Sequence, residues 1–206
     1  RPSQIFLGNG SDEAIDIVFR IFCRPGQDSA VICPPTYGMY EVAANINSVD
    51  VIRADLTHAF QLDLTAVKES IRDDTKLILL CSPNNPTGNL LDRDAIIELL
   101  REFSGIVVVD EAYVQFSDQM SWTASIGTYP NLVVLQTFSK AWGMAGLRVC
   151  IAFANEQVID LFNKVKPPYN VSTTAQRLVL DALDRRDQIE QTVEHIRTER
   201  NGLESW

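Results

Sequence analysis

The chain is poor in the residue types that build metal and redox centres. Two histidines and four cysteines stand among its 206 residues. Cys23, Cys33, Cys81 and Cys150 are far apart, with neither CxxC spacing nor a histidine close by. A zinc or disulfide motif needs those groups clustered, so that several ligands converge on one ion or two sulfurs meet. Four reduced core thiols and no metal site are therefore expected. Long apolar runs are missing too: nothing approaches the roughly 20 residues of a membrane helix, and no basic-then-apolar leader is visible. A soluble, cytoplasmic protein without membrane contact is the expectation. Positive charge is scarce, with 18 Lys and Arg against 27 Asp and Glu for a net charge of −9. Phosphate backbones demand clustered cations, so nucleic acid is excluded as a partner. Small molecules, or further copies of the same chain, are expected in its place.

What the chain has is apolar residues, 46% of the total, enough for one sizeable core. Short β-rich runs alternate with helical periodicity. SAVIC (29–33), VDVI (49–52), KLILLC (76–81), GIVVVD (105–110), NLVVLQ (131–136) and RVCIAFA (148–154) read as strands. Several are continuously apolar, as strands covered on both faces are. SDEAIDIVFRIF, TYGMYEVAANI, DLTAVKESI and DRDAIIELLREF carry helical spacing, with Asp63 and Asp92 as N-caps of the last two. This alternation predicts an α/β fold, a mostly parallel sheet flanked by helices. The connection from Gln136 to Arg148 holds no full helix by pattern, so the last strand is expected to run antiparallel. Beyond Pro167 and Pro168 the pattern is helical again from Gln176 to Arg200. The chain opens at Arg1 and stops soon after DQIEQTVEHIRTERNG; part of a longer protein is expected.

Ligands of such sheets gather at the carboxyl ends of the strands. There the sequence places SPNNPTG after Cys81, DEAY after Val109 and TFSK after Gln136. Asn, Asp, Tyr, Ser and Lys thus converge on one sheet edge. At the start, LGNGSDEAI sets a glycine-flanked turn before a helix whose free amides suit an anion. A nicotinamide site is a poor match because GNGS lacks the third glycine of GxGxxG, and no GxxxxGK[ST] loop is present for a nucleotide. A lysine able to form a Schiff base, an acid, a phenol and a phosphate cradle are the parts that pyridoxal phosphate requires.

SPNNPTG, VVDEAY and TFSKAWGMAGLR, in this order, resemble the signature segments of the fold-type I pyridoxal-phosphate aminotransferases. Together with GNGSDEAI and PPTYGMYEVAA they most resemble the histidinol-phosphate aminotransferase branch. The matching stretch runs from about Leu7 to Arg148. The resemblance implies the large domain of the aspartate aminotransferase-like fold over residues 1–170. It implies a helical segment over 171–206 leading toward an absent C-terminal small domain. The implied reaction is amino transfer from L-histidinol phosphate to 2-oxoglutarate, giving imidazole acetol phosphate and L-glutamate in histidine biosynthesis. A homodimer is implied, as is a truncated chain inactive alone, since a substrate-binding arginine and an N-terminal arm lie outside these residues.

Roles follow residue by residue from the same resemblance. Lys140 would hold the cofactor aldehyde and shuttle the substrate proton. Asp110 would pair with the ring nitrogen, Tyr113 and Asn85 would donate to the ring's phenolic oxygen, and Tyr37 would stack on the ring. The phosphate would meet the amides of Ser11 and Asp12, the Ser139 hydroxyl, that of Thr137, and the Arg148 guanidinium, whose planar fork suits phosphate. Gly143 and Gly146 would let the chain curl between Lys140 and Arg148. Asn84 and Glu111 read as structural, His58 and His195 as outside the site, Trp142 and Met144 as packing for the turn. Each assigned residue also has a plain structural use: turn residue for Asn85, core aromatic for Tyr37 and Tyr113, helix cap for Asp110, solvated cation for Lys140 and Arg148. Other fold-type I enzymes, such as aromatic aminotransferases or phosphothreonine decarboxylase-like relatives, and a non-catalytic cofactor-binding module share the constellation. Family members often have glycine where Cys150 stands.

Overall fold

The computed structural model describes residues 1–204. The last two residues of the helical segment expected over 171–206 lie outside the described residues. Seven strands form one sheet: β1 (Ile5–Gly8), β2 (Ser29–Ile32), β3 (Asp50–Arg53), β4 (Thr75–Cys81), β5 (Ile106–Asp110), β6 (Leu132–Thr137) and β7 (Cys150–Phe153). Their order is β1-β7-β6-β5-β4-β2-β3. β2 to β6 are mutually parallel, while β7 runs antiparallel to both β6 and β1. The antiparallel β7 follows from its connection. The twelve residues between β6 and β7 hold only a short 3-10 turn, Ala145–Leu147, and no helix to carry a parallel crossover.

The helices are α1 (Ser11–Phe22), α2 (Met39–Ile46), α3 (Leu64–Ser70), α4 (Arg93–Glu102), α5 (Glu156–Val165), α6 (Thr173–Leu183) and α7 (Arg186–Glu204). Asp63 and Asp92 cap α3 and α4 by accepting from Ala66 N and Asp94 N. Two structures went unanticipated. Ile5–Gly8 pairs as an edge strand with β7, and α5 is capped by Asn155.

Strand side chains alternate between two cores, as the period of two demands. Leu77, Leu79, Val108, Val133 and Leu135 meet α1, α2 and α5 on one face. Ile78, Leu80, Val107, Val109, Leu132 and Val134 meet α3, α4 and Trp122 on the other. The four cysteines are buried and free. A third, smaller cluster joins Phe138 and Val149 to Val171, Ala175 and Val179, with Trp142 and Met144 packed against it. The start of α6 therefore lies against the turn after Lys140. Arg185 and Arg186 are exposed. Arg197 instead pairs with Asp118, and Arg200 Nη1 donates to the Phe116 carbonyl at 3.0 Å. Among the described residues no helix is long and apolar enough to cross a membrane.

Candidate active site

The three central strands end side by side. Cys81 of β4 pairs with Asp110 of β5, and Asp110 with Leu135 of β6. The ladder runs one step further: Ser82 N donates to Asp110 O at 2.9 Å and Glu111 N to Leu135 O at 2.7 Å. The segments after these strands therefore leave the sheet at one level. They open on a cavity with about 530 Å³ of empty space, part of it open to solvent. All ten residues singled out in the sequence line it: Ser11 and Asp12 from α1, Tyr37 from the loop before α2, Asn85 after β4, Asp110 at the end of β5 and Tyr113 after it, Thr137 at the end of β6, and Ser139, Lys140 and Arg148 from the connection to β7. Cys81 and Ala112 complete the lining.

At the floor, Asp110 is 2% exposed. Its Oδ2 accepts from the Tyr40 hydroxyl at 2.9 Å and its Oδ1 from Ala112 N at 3.1 Å. Among the described residues it forms no ion pair with Lys or Arg. Loss of water around the carboxylate raises its pKa to about 6, against the opposing pull of those two donors. The cavity floor is thus a carboxylate in want of a cation. Cys81 beside it has a thiol pushed up to about 12 by burial, so it contributes shape rather than a nucleophile.

The neighbouring Glu111 points the other way. Its carboxylate accepts from Trp122 N at 2.7 Å, Ser121 Oγ at 2.5 Å and Gln136 Nε2 at 2.8 Å, tying the loop after β5 to β6. Asn84 is likewise committed to structure, donating to Pro35 O at 2.9 Å and Thr87 Oγ1 at 2.7 Å. Both therefore serve the scaffold that presents Asp110 and Asn85.

One end of the cavity is built for an anion. Gly10, the N-cap of α1, has φ 81° and brings no side-chain cap to the helix start. Positive helix-end charge and first-turn amides are therefore offered to the cavity. Arg148 sits in the left-handed region at φ 53° after the glycine-containing turn, and its guanidinium packs directly over Gly10. Glu13 fixes the approach to the helix by accepting from Asn9 N at 2.6 Å and Asn170 Nδ2 at 2.8 Å. Thr137 is buried; its Oγ1 accepts from Ser139 N at 3.1 Å and lies 3.4 Å from the Val149 carbonyl, which holds Ser139 in the turn. The Asp12 carboxylate accepts from the Tyr37 hydroxyl at 3.1 Å and stands 3.8 Å from Arg148 Nη2. At the rim, Lys140 is exposed and its Nζ lies 5.2 Å from the centroid of the Tyr113 ring. That is within cation–π range.

Tyr40 is the residue that sequence reasoning missed. It lies in the first turn of α2, three residues after Tyr37 in the preceding loop, but its bond to Asp110 spans 70 positions, and only that i+3 spacing hinted at a common direction. His58 and His195 lie outside the cavity, in a loop and on α7.

A parallel-centred sheet whose strand ends gather a lysine, a buried carboxylate, a phenol and an anion cradle defines an aminotransferase-like fold. The model of the aminotransferase class I and II family matches residues 1–205. The chain belongs to that family. It is 52% identical over 200 residues to the histidinol-phosphate aminotransferase of Cytophaga hutchinsonii, covering 97% of this chain and 58% of that protein. To the histidinol-phosphate aminotransferase of Parabacteroides distasonis it is 53% identical over 202 residues, covering 98% and 59%. The chain thus spans less than two thirds of the length of these relatives. Among solved structures, the histidinol-phosphate aminotransferase from Clostridium acetobutylicum superimposes with a TM-score of 0.87 at 25% identity, over 96% of this chain and 59% of that one.

Proposed function

We propose that the protein is a pyridoxal-phosphate-dependent aminotransferase that moves an amino group from L-histidinol phosphate to 2-oxoglutarate. The observation that carries this reading is the buried Asp110, which has no ion-pair partner among the described residues, in the same cavity as Lys140. A buried carboxylate is costly unless it meets a partner, and a protonated ring nitrogen is such a partner. The cradle of Gly10, the α1 amides and Arg148 fits a phosphate, so the residues present suit the cofactor at both ends. When bound, pyridoxal phosphate supplies an electron-poor ring that stabilises negative charge at the substrate α-carbon.

The chain's own groups would do the rest. Arg148, Ser139 and the amides of Ser11 and Asp12 would hold the phosphate; Tyr37 would cover the ring; Asn85 and Tyr113 would donate to its oxygen. Asp110 would keep the ring nitrogen protonated, a charge-assisted bond of about 1.5–3 kcal/mol. The Lys140 amine would carry the cofactor aldehyde and, once released, take and return the proton at the substrate α-carbon. Residues 1–170 would serve as the cofactor-binding domain and the helices after them as the lead toward a small domain. A homodimer in the cytoplasm, working in histidine biosynthesis, completes the proposal; the names of the two similar relatives support its biosynthetic part.

Reconstitution with pyridoxal phosphate tests the reading. A visible absorption band present in the parent protein and lost in Lys140→Ala is expected, and with the chain extended to the length of its relatives, amino transfer that favours L-histidinol phosphate over a panel of donors. Equal or better rates with aromatic amino acids would refute the donor while leaving the cofactor assignment in place.

A further inference from the structure

Tyr40 is fully buried in the first turn of α2, edge-on to Tyr37 with ring centroids 5.6 Å apart. A phenylalanine would fill the same apolar space. The hydroxyl is the unexplained part, because burying one is unfavourable unless it finds a hydrogen-bond partner. Its partner is Oδ2 of Asp110, 2.9 Å away. The other oxygen, Oδ1, is held from a different element by Ala112 N at 3.1 Å. Two donors on two oxygens restrict rotation of the carboxylate about its own bond. Each ionised oxygen has about two acceptor sites, so one on each remains, and Asp110 lines the cavity.

We propose that Tyr40 is a positioning residue for Asp110: its hydroxyl fixes the carboxylate plane so that the unused acceptor sites are offered to the ring nitrogen of the cofactor. The proposal rests on the pyridoxal-phosphate reading. Tyr40 makes no contact with the cofactor in this scheme; it acts through Asp110 alone. Removing the hydroxyl frees the carboxylate to turn and leaves it with a single protein donor.

The test compares two cofactors in the full chain by equilibrium dialysis. One is pyridoxal phosphate; the other is its 1-deaza analogue, in which CH replaces the ring nitrogen. Tyr40→Phe is expected to bind pyridoxal phosphate roughly tenfold more weakly than the parent, on the scale of one charge-assisted hydrogen bond. The deaza analogue is expected to bind parent and variant alike. Unchanged pyridoxal-phosphate affinity overturns the proposal, and so does an equal loss with the analogue, since the effect would then bypass the ring nitrogen. If Tyr40→Phe alone unfolds, the pair Asp110→Asn and Tyr40→Phe/Asp110→Asn decides, because no buried charge is left short of donors. No further loss of pyridoxal phosphate in the double variant supports the proposal; an added loss overturns it. A parent protein without a Lys140-dependent absorption band overturns the cofactor reading itself, and the role of Tyr40 falls with it.

Discussion

A Cβ placed on Gly10 would lie 2.2 Å from Nη2 of Arg148 and 2.9 Å from its Cζ. The guanidinium thus rests on the bare backbone at the start of α1, and the same glycine holds φ 81°. Gly10→Ala would both strain the backbone and push the cation out of the anion cradle. Affinity for pyridoxal phosphate is expected to fall by roughly tenfold or more, measured by absorbance titration. Gly26→Ala is the control: it has φ 69° and open space within 4 Å, so it should lose stability and keep affinity.

Asp110 should make the cofactor-free protein less stable as pH rises. Its folded pKa of about 6 lies above the ordinary value of 3.8, so the folded state holds the proton more tightly than the unfolded chain. The stabilisation is complete below about pH 4 and is lost as pH climbs through about 6, a change of order 3 kcal/mol. Glu111 is also raised, by burial, and contributes with the same sign, so the comparison must isolate Asp110. Urea unfolding of parent and Asp110→Asn at pH 4 and pH 7 does so: the parent should lose more stability than the variant between the two. An equal change in both would contradict the assignment.

Glu111 and Asp110 are adjacent carboxylates with opposite duties, and Glu111→Ala should separate them. It would leave the buried Trp122 N without its acceptor and strip Ser121 Oγ and Gln136 Nε2 of the carboxylate, leaving them only each other and Thr123. A loss of about 3 kcal/mol or more in stability is expected, read as a lower urea midpoint with unchanged slope. The absorption band of the cofactor should keep its position, because Glu111 is not in the cavity lining.

The readable parts of this molecule were those written locally. β4, β5 and β6 each contain a continuous apolar run, and the residues that follow each run are the ones brought to the cavity. Asp63 and Asp92 were legible as caps because a carboxylate three or two residues before a free amide acts within one turn. β1 was not, since Ile5–Gly8 is four residues ending in a glycine, and its strand state comes from pairing with β7 about 145 positions away. Tyr40 and the Asp12–Tyr37 bond were hidden for the same reason. In both cases a helix residue meets its partner only after the sheet has formed. Pattern told which residues reach the site and was silent on which of them hold one another.

The bond between Asp12 and Tyr37 carries a prediction of unusual sign. Asp12 Oδ2 stands 3.8 Å from Arg148 Nη2, with both side chains roughly half exposed. If Arg148 binds the cofactor phosphate as proposed, a carboxylate beside it would compete with the phosphate for it. Asp12→Asn keeps an oxygen to accept from the Tyr37 hydroxyl and removes the competing charge. Its cost to α1 is small, a few tenths to about 1 kcal/mol from the loss of an anion at the helix start. Affinity for pyridoxal phosphate should therefore rise, by about threefold for so exposed a pair, and the gain should shrink as added salt screens the charges. Titrations of parent and variant at low and high ionic strength would show this. A weaker-binding Asp12→Asn would mean that the carboxylate helps to hold Arg148 in place for the phosphate instead of contending for it.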